Sequence, residues 1–315
     1  MNKTDIVLGI DIGGTNTAYG FINQTGKLFF ENSIPTCANE KAEYLFNRLF
    51  SNVKKELTEE FNLVGIGIGA PNANYYHGTI ENPPNLKWGF VNVIDIVKKY
   101  FDVPSAITND ANAAAIGEMQ FGAAKGMKDF IVITLGTGLG SGIVANGKLI
   151  YGADGFAGEV GHTIYDVNGR VCGCGRKGCL ETYASASGIR RTVMELLCDS
   201  TADSILRDIS FNNMSAKMIA DAALEGDPIA LEAFEYTGKI LGIKLADSVA
   251  HTSPEAIILF GGLALSGDLI FKPVKKHFEE NLLSSFKNKI KILPSNLTNG
   301  NSAILGSAAL IWNEL

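Results

Sequence analysis

Three cysteines crowd together in Cys172-Gly-Cys174-Gly-Arg-Lys-Gly-Cys179, and His162 stands shortly before them. Three thiols and one imidazole make a Cys₃His set, the donor combination of a closed tetrahedral zinc site. The bland reading, free thiols beside a satisfied histidine, requires three cysteines on a glycine-rich loop to be coincidental. The total of five is odd, and Cys37 and Cys198 stand apart, which favours metal ligation over a disulfide framework. A second group is Asn109-Asp110-Ala111-Asn112, which follows a short apolar segment and opens an alanine-rich run. Asn109 or Asp110 could simply cap a helix. In the functional reading Asp110 stands at the carboxyl end of a strand, where α/β proteins place ligands, and acts as a general base.

Two glycine turns complete the inventory. Asp11-Ile12-Gly13-Gly14-Thr15-Asn16 leaves an apolar segment, and Gly136-Thr137-Gly138-Leu139-Gly140 leaves another. Glycines permit a tight turn whose backbone N–H groups face phosphate oxygens, with Asp11 placed where Mg²⁺ would arrive. A Gly-Gly hairpin is also ordinary structure. Two of them, on duplicated strand pairs, can grip one polyphosphate from opposite sides. Neither carries the Gly-Lys-Ser/Thr of a Walker loop.

The elements that position these groups read as follows. Ile6–Ile12, Ala18–Ile22 and Lys27–Ile34 form three antiparallel strands, and the helical stripe Tyr44, Leu45, Leu49, Val53, Leu57 places a helix within 39–61. A strand at Val64–Ala70, a helix at Phe90–Phe101 and a strand at Ser105–Thr108 follow. Ile131–Leu135, a glycine turn and Gly142–Val144 then repeat the opening plan, which implies structural duplication. Helices near 182–197, 215–226 and 228–250, a strand at Ala256–Phe260 ending in Gly261-Gly262, a helix near 270–283, a strand at Ile290–Leu293 and a closing helix at Ser302–Trp312 complete the chain.

With 315 residues, the chain needs two domains or one large α/β domain. Hydrophobic residues at 46% supply a core, and a net charge of −6 offers nothing to neutralise phosphates along a nucleic acid. The apolar runs fall short of the ~20 residues of a membrane span, and the N-terminus lacks the apolar region of a signal peptide. A cytoplasmic protein with no nucleic-acid or membrane partner is expected.

Taken together, these motifs resemble the ROK family within the actin-like sugar kinase superfamily, over nearly the whole chain. Gly158-Glu159-Val160-Gly161-His162 ahead of the cysteine loop, and Leu180-Glu181 after it, complete the family's order. The resemblance implies an α/β fold of two actin-like (ribonuclease H-like) domains around a cleft, with the zinc loop in the larger. Residues 1–108 plus 298–315 would form the small domain and 109–297 the large one. It implies ATP-dependent phosphorylation of a hexose at the 6-hydroxyl, glucose first, with N-acetylglucosamine, N-acetylmannosamine or fructose as alternatives.

Residue by residue, the resemblance makes Asp110 the base and Asn85, Asn109, Asp110, Glu159, His162 and Glu181 the sugar-binding set. Asp11, Gly13, Gly14, Thr15, Asn16, Gly136, Thr137 and Gly138 would meet the ATP phosphates and Mg²⁺, and Gly261 and Gly262 the adenosine side. His162 would give one ring nitrogen to zinc and the other to the sugar, so that Zn²⁺ organises the site without acting as a Lewis acid. A homodimer is expected from the same source. Family members that are sugar-responsive repressors carry a helix-turn-helix domain ahead of the first strand. Here that strand begins at about Ile6, and the negative charge gives DNA no foothold, so a repressor is disfavoured.

Overall fold

Ile6–Ile10 is buried without interruption, the pattern of a strand covered on both faces and not the alternation of a one-sided sheet. In the computed structural model, which describes residues 3–297 and 302–315, this run belongs to β1 (Thr4–Ile12) at the centre of a five-stranded sheet. Its partners are β2 (Asn16–Ile22), β3 (Leu28–Pro35), β4 (Phe61–Gly69) and β8 (Ser105–Thr108), in the order β3-β2-β1-β4-β8. The β1–β2 and β2–β3 pairs are antiparallel and the β1–β4 and β4–β8 pairs parallel. Helix α1 (Ala42–Glu56) lays Leu45, Phe46, Leu49 and Phe50 against Ile6, Leu8 and Ile10. Ile304, Ala308 and Ile311 of α8 (Ser302–Glu314) pack with Val7 and Ile22.

The plan recurs. β9 (Phe130–Leu135), β10 (Leu139–Ala145), β11 (Lys148–Leu149), β12 (Ala256–Phe260) and β13 (Lys291–Pro294) form a second sheet in the order β11-β10-β9-β12-β13. Again an antiparallel hairpin, β9–β10, is followed by parallel pairs, β9–β12 and β12–β13. The duplication read from two strand, glycine turn, strand segments is therefore present as matching sheets. Its core sets Ile131, Ile133, Ile257 and Leu259 among residues of α4 (Ala186–Asp199), α5 (Ala216–Leu224), α6 (Pro228–Thr252) and α7 (Asp268–Asn281).

Three expectations change. The helix expected over Phe90–Phe101 divides into strand β7 (Phe90–Asn92) and α2 (Val93–Lys98). The reason is local: β7 joins β5 (Ala73–Asn74) and β6 (Thr79–Glu81) in a small sheet, and the Asn92 side chain accepts from Asp95 N as a helix cap. The helix expected from 182 begins at Ala186, because Ser185 caps it and Leu180–Thr182 is a separate 3₁₀ turn.

The domain boundary shifts as well. The chain gathers into two compact units, Met1–Gly126 with Leu149–Ala157 and Ser295–Leu315, and Met127–Lys148 with Gly158–Pro294. Helix α3 (Asp110–Phe121) thus belongs to the first unit, on the other side of the boundary drawn at 108. It packs on α8 so closely that a Cβ on Gly306 would lie 2.6 Å from the Ala113 carbonyl oxygen, and one on Gly117 2.9 Å from Gly306 Cα. The last crossing falls at Ser295, and residues 298–301 of the expected return lie outside the described residues. Among those described, no helix is long and apolar enough to cross a membrane.

Candidate active site

In the first unit the turn after β1 is a hairpin: Gly13 N donates to Asn16 O at 3.0 Å. Buried Thr36, beyond the end of β3, pins it from beside. Its hydroxyl donates to Gly13 O at 2.8 Å and lies 2.9 Å from the Thr17 hydroxyl, and its N–H donates to Thr15 O at 2.8 Å. Nothing in the sequence singles out Thr36. Thr15 and Asn16 are exposed at the tip. Asn85 lies against the same turn, its Cβ 3.1 Å from where a Gly14 Cβ would stand.

Asp11 faces Gly69 of β4 in register. Burial, and after it the charge of Asp110, raises its carboxyl to about 7. Of the two residues that could cap a helix here, the structure assigns the cap to Asn109. Asn109 is the cap of α3, its Oδ1 accepting from Ala111 N at 2.8 Å and Asn112 N at 3.1 Å. Asp110 Oδ1 also accepts from Ala111 N at 2.8 Å, yet the residue as a whole is exposed. The protein crowding its other sides holds this carboxyl above the usual range, against the opposing pull of the Ala111 N–H. A carboxylate with raised basicity is suited to accept a proton near neutral pH.

The second unit holds the cysteine loop. The ligand atoms of His162, Cys172, Cys174 and Cys179 all lie within 4.8 Å of one another. Cys174 Sγ is 3.6 Å from Cys179 Sγ, and Cys172 Sγ is 3.7 Å from His162 Nδ1. With Zn–S bonds of about 2.3 Å, tetrahedral zinc separates neighbouring ligands by about 3.8 Å, so donor types and spacing both fit Zn²⁺. His162 Nε2 points the other way, 4.0 Å from Glu159 Oε2, while Glu181 Oε1 accepts from Cys172 Sγ at 2.9 Å. Burial pushes the Cys172 and Cys179 thiols up, a cost that a coordinated cation would reverse. Arg170, which no sequence motif marks, fastens this loop. Its largely buried guanidinium donates to Thr182 O at 2.7 Å and pairs with Glu195 of α4.

The β9–β10 turn lies in the same unit. Gly136 N donates to Gly138 O at 3.1 Å, and a Cβ on Gly136 would meet nothing within 4 Å, so the tip is open. Gly261 adopts φ +97°, and a Cβ there would stand 2.9 Å from Leu135 O. Leu263 N donates to that same carbonyl at 3.1 Å. The Gly261-Gly262 turn is thereby seated on Leu135, the last residue of β9 and the chain neighbour of Gly136.

Paired sheets of one duplicated plan, a glycine hairpin after the first strand of each, and an acid at the head of α3 define an actin-like α/β protein. The ROK family model matches residues 7–314, and this chain belongs to the ROK family. The glucokinase of Halalkalibacterium halodurans is 33% identical over 98% of this chain and 95% of its own length. The xylose repressor of Caldicellulosiruptor bescii is 32% identical over 98% of this chain and 78% of its own. A crystal structure of a ROK family glucokinase from Streptomyces griseus in complex with glucose and AMPPNP superposes with a TM-score of 0.82 at 33% identity, covering 97% of this chain and 98% of that one.

Proposed function

We propose that this protein is an ATP-dependent hexose kinase that phosphorylates glucose at the 6-hydroxyl. The observation that carries this is Asp110: a carboxyl of raised basicity at the head of α3, just past the end of β8, with the helix cap already supplied by Asn109. In the reaction, the sugar oxygen attacks the γ-phosphorus of ATP, its proton passes to Asp110, and ADP leaves with the bond to the bridging oxygen. Such transfer needs positioning and charge stabilisation more than covalent help.

Each remaining group has a role in this reading. The N–H groups of the Gly13–Asn16 and Gly136–Gly138 turns other than those of Gly13 and Gly136, which donate within the turns, would meet the phosphates, and Gly261-Gly262 the adenosine side. Mg²⁺, when bound, neutralises charge on the phosphates, and the Asp11 carboxylate suits a hard cation that prefers oxygen donors. Asn85, Asn109, Glu159, His162 and Glu181 hold ring hydroxyls. Asn109 spends its oxygen on the helix and keeps its NH₂ group for a hydroxyl. Zn²⁺ would fix the His162 ring, Nδ1 toward the thiols and Nε2 toward the sugar. A primary hydroxyl on an exocyclic carbon can swing to the base while the ring stays fixed, which favours the 6-position. The family resemblance adds a homodimer and a cytoplasmic address to this reading.

The test is ADP release with Mg·ATP across glucose, mannose, fructose, N-acetylglucosamine and N-acetylmannosamine, followed by NMR of the phosphorylated product. Glucose should give the highest kcat/KM, with phosphate on O6. An N-acetyl sugar exceeding glucose by about tenfold, well within what a polar site can discriminate, would overturn the choice of glucose. A non-catalytic sugar sensor, which likeness to a xylose repressor favours, would bind sugar and release no ADP with any of them.

A further inference from the structure

Between Cys179 and Ser187 the chain runs from the zinc-ligand set to the β9–β10 turn, and it is hydrogen-bonded throughout. The Cys179 carbonyl accepts from Thr182 N at 3.0 Å and from the Thr182 hydroxyl at 2.7 Å, so the 3₁₀ turn is wound on a ligand's own backbone. The Ser185 hydroxyl donates to Glu181 O at 2.7 Å while accepting from Gly188 N at 3.0 Å, which ties that turn to the start of α4. Beyond it, Ala186 N donates to Gly136 O at 2.9 Å and the Ser187 hydroxyl donates to Thr137 O at 2.8 Å. Glu181 Oε2 lies 2.6 Å from where a Gly138 Cβ would stand. Gly136 and Thr137 of the glycine turn are thus held by the segment that leaves the metal ligands, and Gly138 lies beside Glu181. With Gly136 N donating to Gly138 O, all three carbonyl oxygens of the turn are occupied, and the N–H groups of Thr137 and Gly138 are left to meet an anion.

We propose that the Cys179–Ser187 segment makes nucleotide affinity depend on zinc, with Ser187 as the positioning residue of the Gly136–Gly138 turn. This rests on reading that turn as a phosphate loop. Zinc then serves two sites: His162 directly, and the glycine turn through a short hydrogen-bonded chain.

The experiment is calorimetric binding of AMPPNP, without sugar, to wild-type protein, Ser187→Ala, Ser187→Thr and chelator-stripped wild type, with metal content, circular dichroism and glucose Kd measured on each variant. Ser187→Ala should weaken AMPPNP about fivefold, the worth of one ordinary hydrogen bond, with zinc content and glucose Kd unchanged. Ser187→Thr keeps the hydroxyl and should restore affinity. Stripped protein should bind AMPPNP at least as weakly as Ser187→Ala. Zinc removal can also unsettle the loop as a whole, so Ser187→Ala, with zinc in place, carries the decision. Undiminished affinity in either Ser187→Ala or the stripped protein overturns the link and leaves the kinase reading standing. No AMPPNP binding by wild type would overturn the phosphate-loop reading, and this proposal with it.

Discussion

Asp110 lies near enough to Asp11 that its charge adds to burial in raising the Asp11 carboxyl to about 7. Folded Asp11 therefore keeps a proton that an unfolded aspartate, at its ordinary 3.8, has lost. Between those values the folded state binds more protons than the unfolded one, so stability is greatest at the acid end of the window and falls as pH rises toward 7. Asp11→Asn has no such proton to lose. Thermal melts of ligand-free protein at about pH 5 and about pH 8 should show a smaller fall in Tm for the variant than for wild type. Equal falls would remove Asp11 as the titrating group.

Zinc should be found at about one per chain, as one tetrahedral Cys₃His site requires. Cys174→Ala should lose it and raise the glucose KM by roughly tenfold or more, the usual consequence of disturbing a positioned metal site. Metal analysis beside steady-state kinetics checks both. Folded protein free of zinc, with Cys172, Cys174 and Cys179 all open to thiol reagents, would contradict the assignment.

Gly306→Val should be costly, because its Cβ would press on the Ala113 carbonyl. Overpacking of this kind costs ~1–3 kcal/mol, and the same contact sets the helix that carries Asp110. Gly262→Ala is the control: its Cβ would meet nothing within 4 Å. Denaturant melts should separate the two, and equal stabilities would mean that the α3–α8 contact yields more easily than its geometry suggests.

What could be read from the sequence was what is local. The zinc set declares itself by spacing, and Asp110 by its place after a strand. Apolar spacing over Phe90–Phe101 could not distinguish β7 followed by α2 from one helix, since the deciding partner, β6, pairs from a distance. The assignment of α3 to the first unit depends on Gly306, remote in sequence from Gly117. Thr36, Arg170 and Ser187 are ordinary polar residues whose importance appears only once Gly13, Thr182 and Thr137 are brought beside them.

That Asp110 takes the proton from the sugar hydroxyl is tested most directly by the kcat of Asp110→Asn with glucose and Mg·ATP, measured beside its glucose Kd. The amide matches the acid in size, and Asn109 continues to cap α3, so folding and sugar binding should be little changed. The expected result is a fall in kcat of roughly 10²-fold or more, the contribution of a general base. A variant that turns over glucose at the wild-type rate, with an unchanged pH profile, would contradict it.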